Sequence, residues 1–305
     1  MAKVFFEEIR VKGIINRVKS MPFMFTINPY RGCQHACAYC YARGSHRYFG
    51  YDPGYDFQER IQVKVNAPEL LRAELRKRSW NRHSLLIGAN VDPYQPAEQQ
   101  YRLTRSIINI LKVHSNPFSI ITKSPSILQD IDMYREMAKL GLVRVLFSVG
   151  TLDHEVWRKL EPQAPKPEKR IEAMGELVKA GVPAGIMLAP IVPRLSDSIE
   201  GIEAVIKMAA EHGAHFINPI VLHLRPGAKE WFMSELKREY PGLVQTFSAM
   251  YKGSYAPRKY QQVIQTQAHE LKIKWEPQER YIPPPRINVQ LSLDLDVKPE
   301  ASSVK

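Results

Sequence analysis

The chain is poor in three features that would place it in other classes of protein. Cysteine occurs only three times in 305 residues. No apolar run approaches the roughly 18 residues that mark a membrane-spanning helix, and the N-terminus lacks the apolar core of a signal peptide. Acidic residues are fewer than basic ones, 31 against 43. We therefore expect a cytoplasmic protein that does not enter a membrane.

The three cysteines are concentrated in one short segment, at Cys33, Cys37 and Cys40. An odd number so close together argues against a disulfide framework and favours a thiolate site in a reducing compartment. Structural zinc would need a fourth ligand, and no second ligand pair has finger-like spacing, although a distant histidine is an alternative. A four-iron cluster on three thiolates would keep one iron open for another ligand.

The basic charge suggests a polyanionic partner. The formal net charge is +12 and the sequence pI is about 9.5. Clustered Lys and Arg attract phosphate backbones, and the segment from Tyr251 to Tyr260 alternates aromatic with basic residues in a way that suits stacked bases. A solvated basic surface is the alternative interpretation.

Apolar periodicity predicts repeated β–α units. With 44% apolar residues, the chain is long enough for one large α/β domain or two small ones. The predicted strands are Phe25–Asn28, Ser84–Gly88, Phe118–Thr122, Val143–Ser148, Ala184–Ala189 and Phe216–Ile220. The predicted helices are Pro68–Arg76, Tyr101–Val113, Ser126–Leu140, Pro167–Ala180 and Ser198–Glu211. Pro167 fits a helix start, and Gly181 and Gly213 fit helix ends.

Six such units are too few for a closed eight-stranded barrel, so we predict an α/β fold built as a partial (β/α)6 barrel of the TIM type. The chemistry is expected at the C-terminal ends of the parallel strands. We expect an N-terminal extension over 1–24 that packs on the barrel and a barrel core over 25–222. A small C-terminal appendage over 223–281 and an extended or disordered tail over 282–305 would follow.

The cysteine segment resembles a known signature. Cys33-x3-Cys37-Ala-Tyr39-Cys40, with an aromatic residue before the last cysteine, is similar to the motif of radical S-adenosylmethionine (SAM) enzymes. The resemblance implies a [4Fe–4S] cluster whose open iron binds the amino and carboxylate groups of SAM. It also implies electron transfer to the sulfonium, which cleaves SAM to methionine and a 5′-deoxyadenosyl radical.

Further motifs resemble the spore photolyase-like group of radical SAM proteins over about residues 5–280. These motifs include Asn28-Pro-Tyr-Arg-Gly-Cys33, Cys40-Tyr-Ala-Arg43, Asp92-Pro-Tyr-Gln95, Ile121-Thr-Lys-Ser124, Leu160-Glu-Pro162 and Ala189-Pro-Ile191. The resemblance also implies an external reductant such as flavodoxin or ferredoxin.

The resemblance and the strand ends together nominate SAM-binding residues. The counterpart of Lys123 contacts the SAM carboxylate, and Ser148 matches another SAM-contacting position; the alternatives are an exposed lysine and a strand-end cap. Glu161 and Arg170 pair with each other or reach the ligand. Two further residues would hold the adenine. Tyr39 would contact it with its ring, and Pro190 would form part of an apolar slot for it; the alternative for Pro190 is an ordinary position in the core.

Other residues are expected to face the substrate. Asn90 and Asp92 follow the second strand, where they can hydrogen-bond the ribose, the amine of SAM or the substrate. Tyr39 and Tyr41 match the tyrosines that relay the radical in spore photolyase. Ala89 stands where spore photolyase has its hydrogen-donor cysteine, so we do not expect complete spore-lesion repair.

Histidines contribute less to the predicted site. We expect His35 to be a surface group or to support the cluster without binding it, and His46 and His83 have no partner spacing that indicates a site.

Three functions follow from the sequence. The leading hypothesis is a radical SAM enzyme that abstracts hydrogen from an unidentified substrate, with nucleic acid favoured by the charge. The alternatives are radical modification of a protein or small metabolite and, in another class, a non-catalytic metal-binding module that binds nucleic acid.

Overall fold

The computed structural model describes residues 4–19 and 23–275. Within these ranges the chain forms ten β-strands and eleven α-helices. The strands are β1 Phe5–Ile9, β2 Ile15–Arg17, β3 Phe25–Ile27, β4 Tyr30–Arg31, β5 Arg60–Lys64, β6 Leu85–Ile87, β7 Phe118–Thr122, β8 Val143–Ser148, β9 Ala184–Ile191 and β10 Ile217–Val221.

The helices lie mostly between successive strands. They are α1 Asp56–Glu59, α2 Ala67–Leu75, α3 Ala97–Tyr101, α4 Leu103–Val113, α5 Ile131–Lys139, α6 His154–Leu160, α7 Pro167–Lys179, α8 Ile199–Glu211, α9 Ala228–Glu239, α10 Val244–Met250 and α11 Arg258–Trp275. Short 3-10 helices occupy Tyr41–Phe49, Pro125–Asp130 and Pro241–Leu243. None of the described helices is long and apolar enough to cross a membrane.

The main sheet has the order β10-β9-β8-β7-β6-β3-β2. Its first six strands are parallel, and β2 is antiparallel to β3. In the described part of the chain the edge strands β2 and β10 do not pair with each other, so the sheet stays open. This confirms the predicted α/β fold and the partial (β/α)6 barrel. The parallel strands put their C-terminal ends at one edge of the sheet, where the site was expected.

The strands form because their side chains are buried by the helices and by one another. Ile87, Ile120, Val145 and Ile186 are fully buried in the sheet. The predicted helix punctuation is also present: α7 begins at Pro167, and Gly181 and Gly213 have φ of 80° and 76° just beyond α7 and α8. Such positive φ suits glycine at a helix end, which is why these glycines indicate the helix ends in the sequence.

Two predicted helices are wrong in their detail. The stretch Tyr101–Val113 is divided between α3 and α4, because Arg102 at the junction has a left-handed φ of 50°. The stretch Ser126–Leu140 begins as a 3-10 turn, which the Ser124 hydroxyl caps by accepting a hydrogen bond from the Ser126 N–H, and continues as α5. Helix α6 is short and was not predicted.

Residues of the predicted N-terminal extension add strands to both sheets. Strand β2 extends the main sheet, while β1 pairs with β5, which also pairs with β4, in a separate three-stranded sheet. The domain boundaries stay predictions.

The predicted appendage contains α9, α10 and α11. Helix α11 is tied to α8 through Glu203, which accepts hydrogen bonds from Lys274 Nζ at 2.6 Å and Trp275 Nε1 at 2.8 Å. The predicted tail over 282–305 lies outside the described residues.

Candidate functional site

The three cysteines lie on one loop at the C-terminal edge of the main sheet. The loop follows β3 and β4 and ends at the 3-10 helix Tyr41–Phe49. Cys33 and Cys37 are each 7% exposed, Cys40 is half-buried, and all three are free thiols. The turn before them needs a glycine, since Gly32 has φ of 84° and a Cβ there would lie 2.7 Å from the Arg60 carbonyl oxygen. The sequence therefore places three thiols on one largely buried loop.

Arg43 holds this loop from behind. Its side chain is fully buried, and it donates hydrogen bonds from Nε to the Cys37 carbonyl at 2.9 Å and from Nη2 to the Ala36 carbonyl at 3.0 Å. Nη1 donates to the carbonyls of Pro53 and Gly54 at 3.0 and 2.7 Å. A guanidinium provides several donors in one plane, so a single side chain fixes two segments of backbone. Arg43 was not predicted as a site residue.

Gln95 attaches the same loop to the segment after β6. Its Oε1 accepts from the Gln34 N–H at 3.0 Å, and its Nε2 donates to the Gly32 carbonyl at 3.1 Å. The side chain is fully buried. Together with Arg43, it fixes the backbone on both sides of Cys33.

The thiols fit an iron–sulfur cluster in their chemistry. Burial raises the pKa of the Cys33 and Cys37 thiols, so buried thiolates at these positions need a compensating positive charge such as that of iron. Among residues 4–19 and 23–275, no three His, Cys, Asp or Glu side chains lie close enough together to share one metal ion.

Five of the predicted SAM-binding residues form one connected network. Lys123 Nζ donates to Ser148 Oγ at 3.0 Å and lies 5.6 Å from the centre of the Tyr39 ring. The Tyr39 hydroxyl donates to Glu161 Oε1, and Arg170 Nη2 donates to Glu161 Oε2. These side chains come from the cysteine loop, β8, α7 and the segments after β7 and α6. The fold therefore brings together residues up to 131 positions apart at the ends of neighbouring strands.

The network contains charges that stabilise one another. Burial alone would lower the pKa of Lys123, but its electrostatic interactions with Cys37 and Glu161 outweigh this effect and raise it. Burial alone would raise the pKa of Glu161, but Arg170 and Lys123 lower it. Both groups are therefore charged at neutral pH.

Arg170 supports the network from beneath. The side chain is fully buried, its Nη1 donates to the Ser148 carbonyl at 2.9 Å, and its Nε donates to the Pro165 carbonyl at 2.8 Å. These contacts correspond to the prediction that Arg170 holds Glu161 in place. A direct role of Arg170 in binding SAM stays a prediction.

Pro190 lies at the end of β9, in a cis peptide bond with Ala189. It lines a small concavity, together with Tyr39, Gly150, Trp157 and Glu161. Ser148 Oγ donates to the Ala189 carbonyl at 2.9 Å, which connects this wall to the lysine network. The position suits the predicted apolar slot, and the adenine contact stays a prediction.

The Asp92 carboxylate accepts hydrogen bonds from several groups of the protein itself. Its side chain, 7% exposed, accepts from Thr122 Oγ1 at 2.7 Å and from the N–H groups of Tyr94 and Lys123 at 2.9 and 2.6 Å, and it lies 3.3 Å from His35 Nδ1. Burial would raise the pKa of Asp92, but His35, the Thr122 hydroxyl and the Lys123 N–H outweigh burial and lower it to about 2. The geometry gives Asp92 a positioning role between β6 and β7, and its predicted substrate contact is untested.

Asn90 lies apart from this network. Its side chain is exposed, and its N–H donates to Asn28 Oδ1 at 2.9 Å. Its predicted contact with SAM or substrate stays a prediction.

His35 is buried, and its Nδ1 lies 3.3 Å from Asp92 Oδ2. The expectation that His35 supports the loop therefore fits better than a position on the surface.

Tyr41, which follows Cys40 directly, contacts a different set of residues from Tyr39. Its hydroxyl donates to the Ala89 carbonyl, and its ring centre lies 5.4 Å from that of His223. The guanidinium carbon of Arg225 lies 5.6 Å from the centre of the same Tyr41 ring. Burial raises the pKa of the Tyr41 hydroxyl. His223 and Arg225 were not predicted, because they lie some 180 residues from Tyr41 and in no recognisable motif.

The segment from Tyr251 to Tyr260 is less open than its sequence suggests. Tyr251 is fully buried and donates to the Leu222 carbonyl at 2.9 Å. The Tyr260 hydroxyl donates to Asp197 at 2.6 Å. Tyr255 alone of the three tyrosines is well exposed, at 59%. Of the three tyrosines in this segment, only Tyr255 is therefore exposed enough to stack on a base.

The fold and the three-cysteine loop at its strand ends define a radical SAM protein, and comparison with known families agrees. The sequence model of the Radical SAM superfamily matches residues 27–222. The chain belongs to this superfamily.

The chain is similar to several proteins. An uncharacterized protein of Mycobacterium tuberculosis H37Rv is 36% identical over 274 residues, which cover 88% of this chain and 81% of that protein. A radical SAM Nα-GlyT isomerase of Pseudomonas phage M6 is 24% identical over 250 residues. The aligned region covers 81% of this chain and 50% of the phage protein. Spore photoproduct lyase complexed with dinucleoside spore photoproduct has a similar fold, with a TM-score of 0.69, 16% identity and coverage of 89% and 80%.

Proposed function

We propose that this chain binds a [4Fe–4S] cluster through Cys33, Cys37 and Cys40 and uses it with SAM to abstract hydrogen from a substrate. The observation that carries this proposal is the meeting of Lys123, Ser148, Tyr39 and Glu161 beside the cysteine loop. Held by these three thiolates, a cluster would supply the one electron, drawn from an external reductant, that reductive cleavage of one C–S bond of SAM to methionine and a 5′-deoxyadenosyl radical requires.

The side chains of the network suit the groups that SAM presents. Lys123 is a charged donor that can bind the carboxylate of the amino acid moiety, and the hydroxyl of Ser148 holds its ammonium in position. Tyr39 and Pro190 offer apolar surface for the adenine. Arg170 and Glu161 fix the wall behind Tyr39 through buried charge-assisted bonds. For the external reductant we propose a flavodoxin or ferredoxin.

For the substrate we propose a nucleic acid base. The net charge of +12 favours a polyanion. One relative is described as a radical SAM Nα-GlyT isomerase, and spore photoproduct lyase has been solved with a dinucleoside. The dinucleoside bound by spore photoproduct lyase supports a nucleoside-containing substrate for this chain.

Complete spore-photoproduct repair is not part of the proposal, because Ala89 supplies no thiol. A methyl hydrogen is too strongly bound to quench a thymine-derived radical, and the three cysteines are assigned to the cluster. We expect the wild-type protein to leave dinucleotide spore photoproduct without clean thymine recovery. Ala89→Cys would gain recovery if the cavity accepts this substrate, whereas efficient repair by the wild type would contradict the argument.

The decisive experiment is anaerobic purification followed by incubation with SAM and dithionite. We expect a brown protein with about four irons per chain and formation of 5′-deoxyadenosine, the product of hydrogen abstraction by the radical. A protein that holds zinc and yields no 5′-deoxyadenosine would instead support the non-catalytic metal-binding module.

A further inference from the structure

Three aromatic rings form a column from the cysteine loop to the protein surface. The ring centres of Tyr41 and His223 are 5.4 Å apart with an interplanar angle of 34°, and those of His223 and Tyr255 are 5.8 Å apart with an angle of 27°. Tyr41 is next to Cys40 in the chain, whereas Tyr255 is 59% exposed. His223 stacks against Tyr255, and Tyr255 still exposes more than half of its surface to solvent. The column therefore ends in an aromatic surface.

The column is held by backbone contacts. His223 and Tyr255 form an antiparallel bridge, and the Leu224 N–H donates to the Ser254 carbonyl at 2.7 Å. Gly44 and Gly227 bring the following loop against the 3-10 helix of the cysteine segment. A Cβ on Gly44 would lie 2.5 Å from the Pro226 carbonyl oxygen. The backbone that carries Tyr255 is thus anchored, which reduces the entropy lost when a ligand stacks on its ring.

Four basic residues lie close in sequence to the rings at the exposed end of the column. Arg225, Lys252, Arg258 and Lys259 are exposed and close in sequence to His223 or Tyr255. None of the four forms an ion pair with a carboxylate in the described part of the chain. Burial and the Arg225 cation lower the pKa of His223, so the middle ring of the column is neutral at neutral pH. The surface combines a stacking ring with uncompensated cations.

We infer that Tyr255 is a stacking platform for a base of single-stranded or locally unpaired nucleic acid, with Arg225, Lys252 and Lys259 binding the adjacent phosphates. This inference rests on the proposed function, and it places the entrance for the substrate strand beside Tyr41. A base inside a duplex has both faces covered by its neighbours, so only an unpaired base can stack on Tyr255. Cations bind the backbone without regard to sequence, which predicts strong salt dependence and little sequence preference.

The test is anaerobic binding of a short fluorescein-labelled oligothymidylate, and of oligouridylate in parallel, to the cluster-loaded protein. Base–aromatic stacking corresponds to a loss of about tenfold or more in affinity when the ring is removed, so Tyr255→Ala should bind at least that much more weakly. Tyr255→Phe keeps the ring and should remain within about twofold of the wild type. Tyr255→Leu keeps apolar bulk without a ring, and it replaces Tyr255→Ala if that variant fails to fold.

Charge variants test the phosphate contacts. Arg225→Ala should reduce the slope of log affinity against log salt by about one, whereas the exposed Arg72→Ala on α2 should leave both affinity and slope unchanged. An unlabelled duplex should compete less well than the single strand. Competition by the duplex that equals the single strand would overturn the inference.

The inference and the proposed function fail in different ways. If the wild type forms 5′-deoxyadenosine from SAM but binds neither oligonucleotide, or if Tyr255→Ala and Tyr255→Leu bind like the wild type, the stacking platform is wrong and the proposed chemistry stands. Equal weakening in Tyr255→Phe and Tyr255→Ala would also overturn stacking, since the hydroxyl would then be the group that binds. If the wild type forms no 5′-deoxyadenosine, the proposed function itself is wrong.

Discussion

Replacement of Arg43 is the sharpest test of how this protein builds its cysteine loop. Arg43→Ala removes a fully buried guanidinium that donates to four backbone carbonyls, those of Ala36, Cys37, Pro53 and Gly54, and to Gln58 Oε1 at 3.2 Å. It also removes contacts with aromatic rings, because the guanidinium carbon lies 5.0 Å from the centre of the Phe57 ring and 4.9 Å from that of Trp231.

The expected loss of stability follows from these contacts. A buried acceptor left without a donor costs about 1–3 kcal/mol, so four carbonyls set an upper limit well above the usual effect of one substitution. Two effects reduce this limit. Burial lowers the pKa of Arg43, which shows that the buried charge itself has an unfavourable desolvation term, and water can enter the space left by the side chain. We therefore expect the free energy of unfolding to fall by about 3–5 kcal/mol.

The measurement is urea unfolding of the reduced, cluster-free chain, followed by iron content after anaerobic reconstitution. Arg43→Ala should lower the unfolding midpoint and the iron per chain together, since the carbonyls of Ala36 and Cys37 fix the backbone between the cysteines. Arg43→Lys should lose less stability than Arg43→Ala, because the ammonium keeps the charge and some of the donors. It should still be less stable than the wild type, because an ammonium offers fewer donors than a guanidinium. The exposed Arg72→Ala should stay within about 0.5 kcal/mol of the wild type. Wild-type stability and full iron in Arg43→Ala would refute the role of this residue.

Three further outcomes are expected. Alanine at Cys33, Cys37 or Cys40 should abolish cluster binding, because two thiolates leave two irons open, and full iron in any of these variants would remove the assignment. Lys123→Met should weaken SAM binding about tenfold or more while the iron content is kept; unchanged SAM affinity in equilibrium dialysis would make Lys123 a bystander. Lys64 is 8% exposed, and burial lowers its pKa from 10.5 to about 8. Between these values the unfolded chain binds the proton that the folded chain has released, so stability should rise with pH across this window, by up to about 3 kcal/mol. Lys64→Met should flatten that rise in urea titrations, and an identical pH profile would contradict the shift.

Local sequence determined most of the sheet. Strands such as Phe118–Thr122 and Val143–Ser148 are predictable because they are short, mostly apolar runs, as is typical of parallel strands covered by helices. Helix ends are predictable where glycine is needed, as at Gly181 and Gly213. The division at Arg102 was missed because its left-handed conformation is not one that arginine favours by itself. Pairings such as that of β1 with β5 join segments distant in sequence, so no local pattern specifies them.

The sequence alone predicted the cysteine loop as a thiolate site, because the spacing of Cys33, Cys37 and Cys40 is a local property that can be read without knowledge of the fold. The tertiary structure decided which other side chains join them. Lys123 and Ser148 were predictable as strand ends, but only the fold shows that they bond each other beside Tyr39. It also decided that Arg43 supports the loop and that Tyr255, rather than Tyr251 or Tyr260, reaches the surface. Burial and hydrogen-bond partners depend on packing between segments far apart in the chain, and composition and spacing do not contain that information.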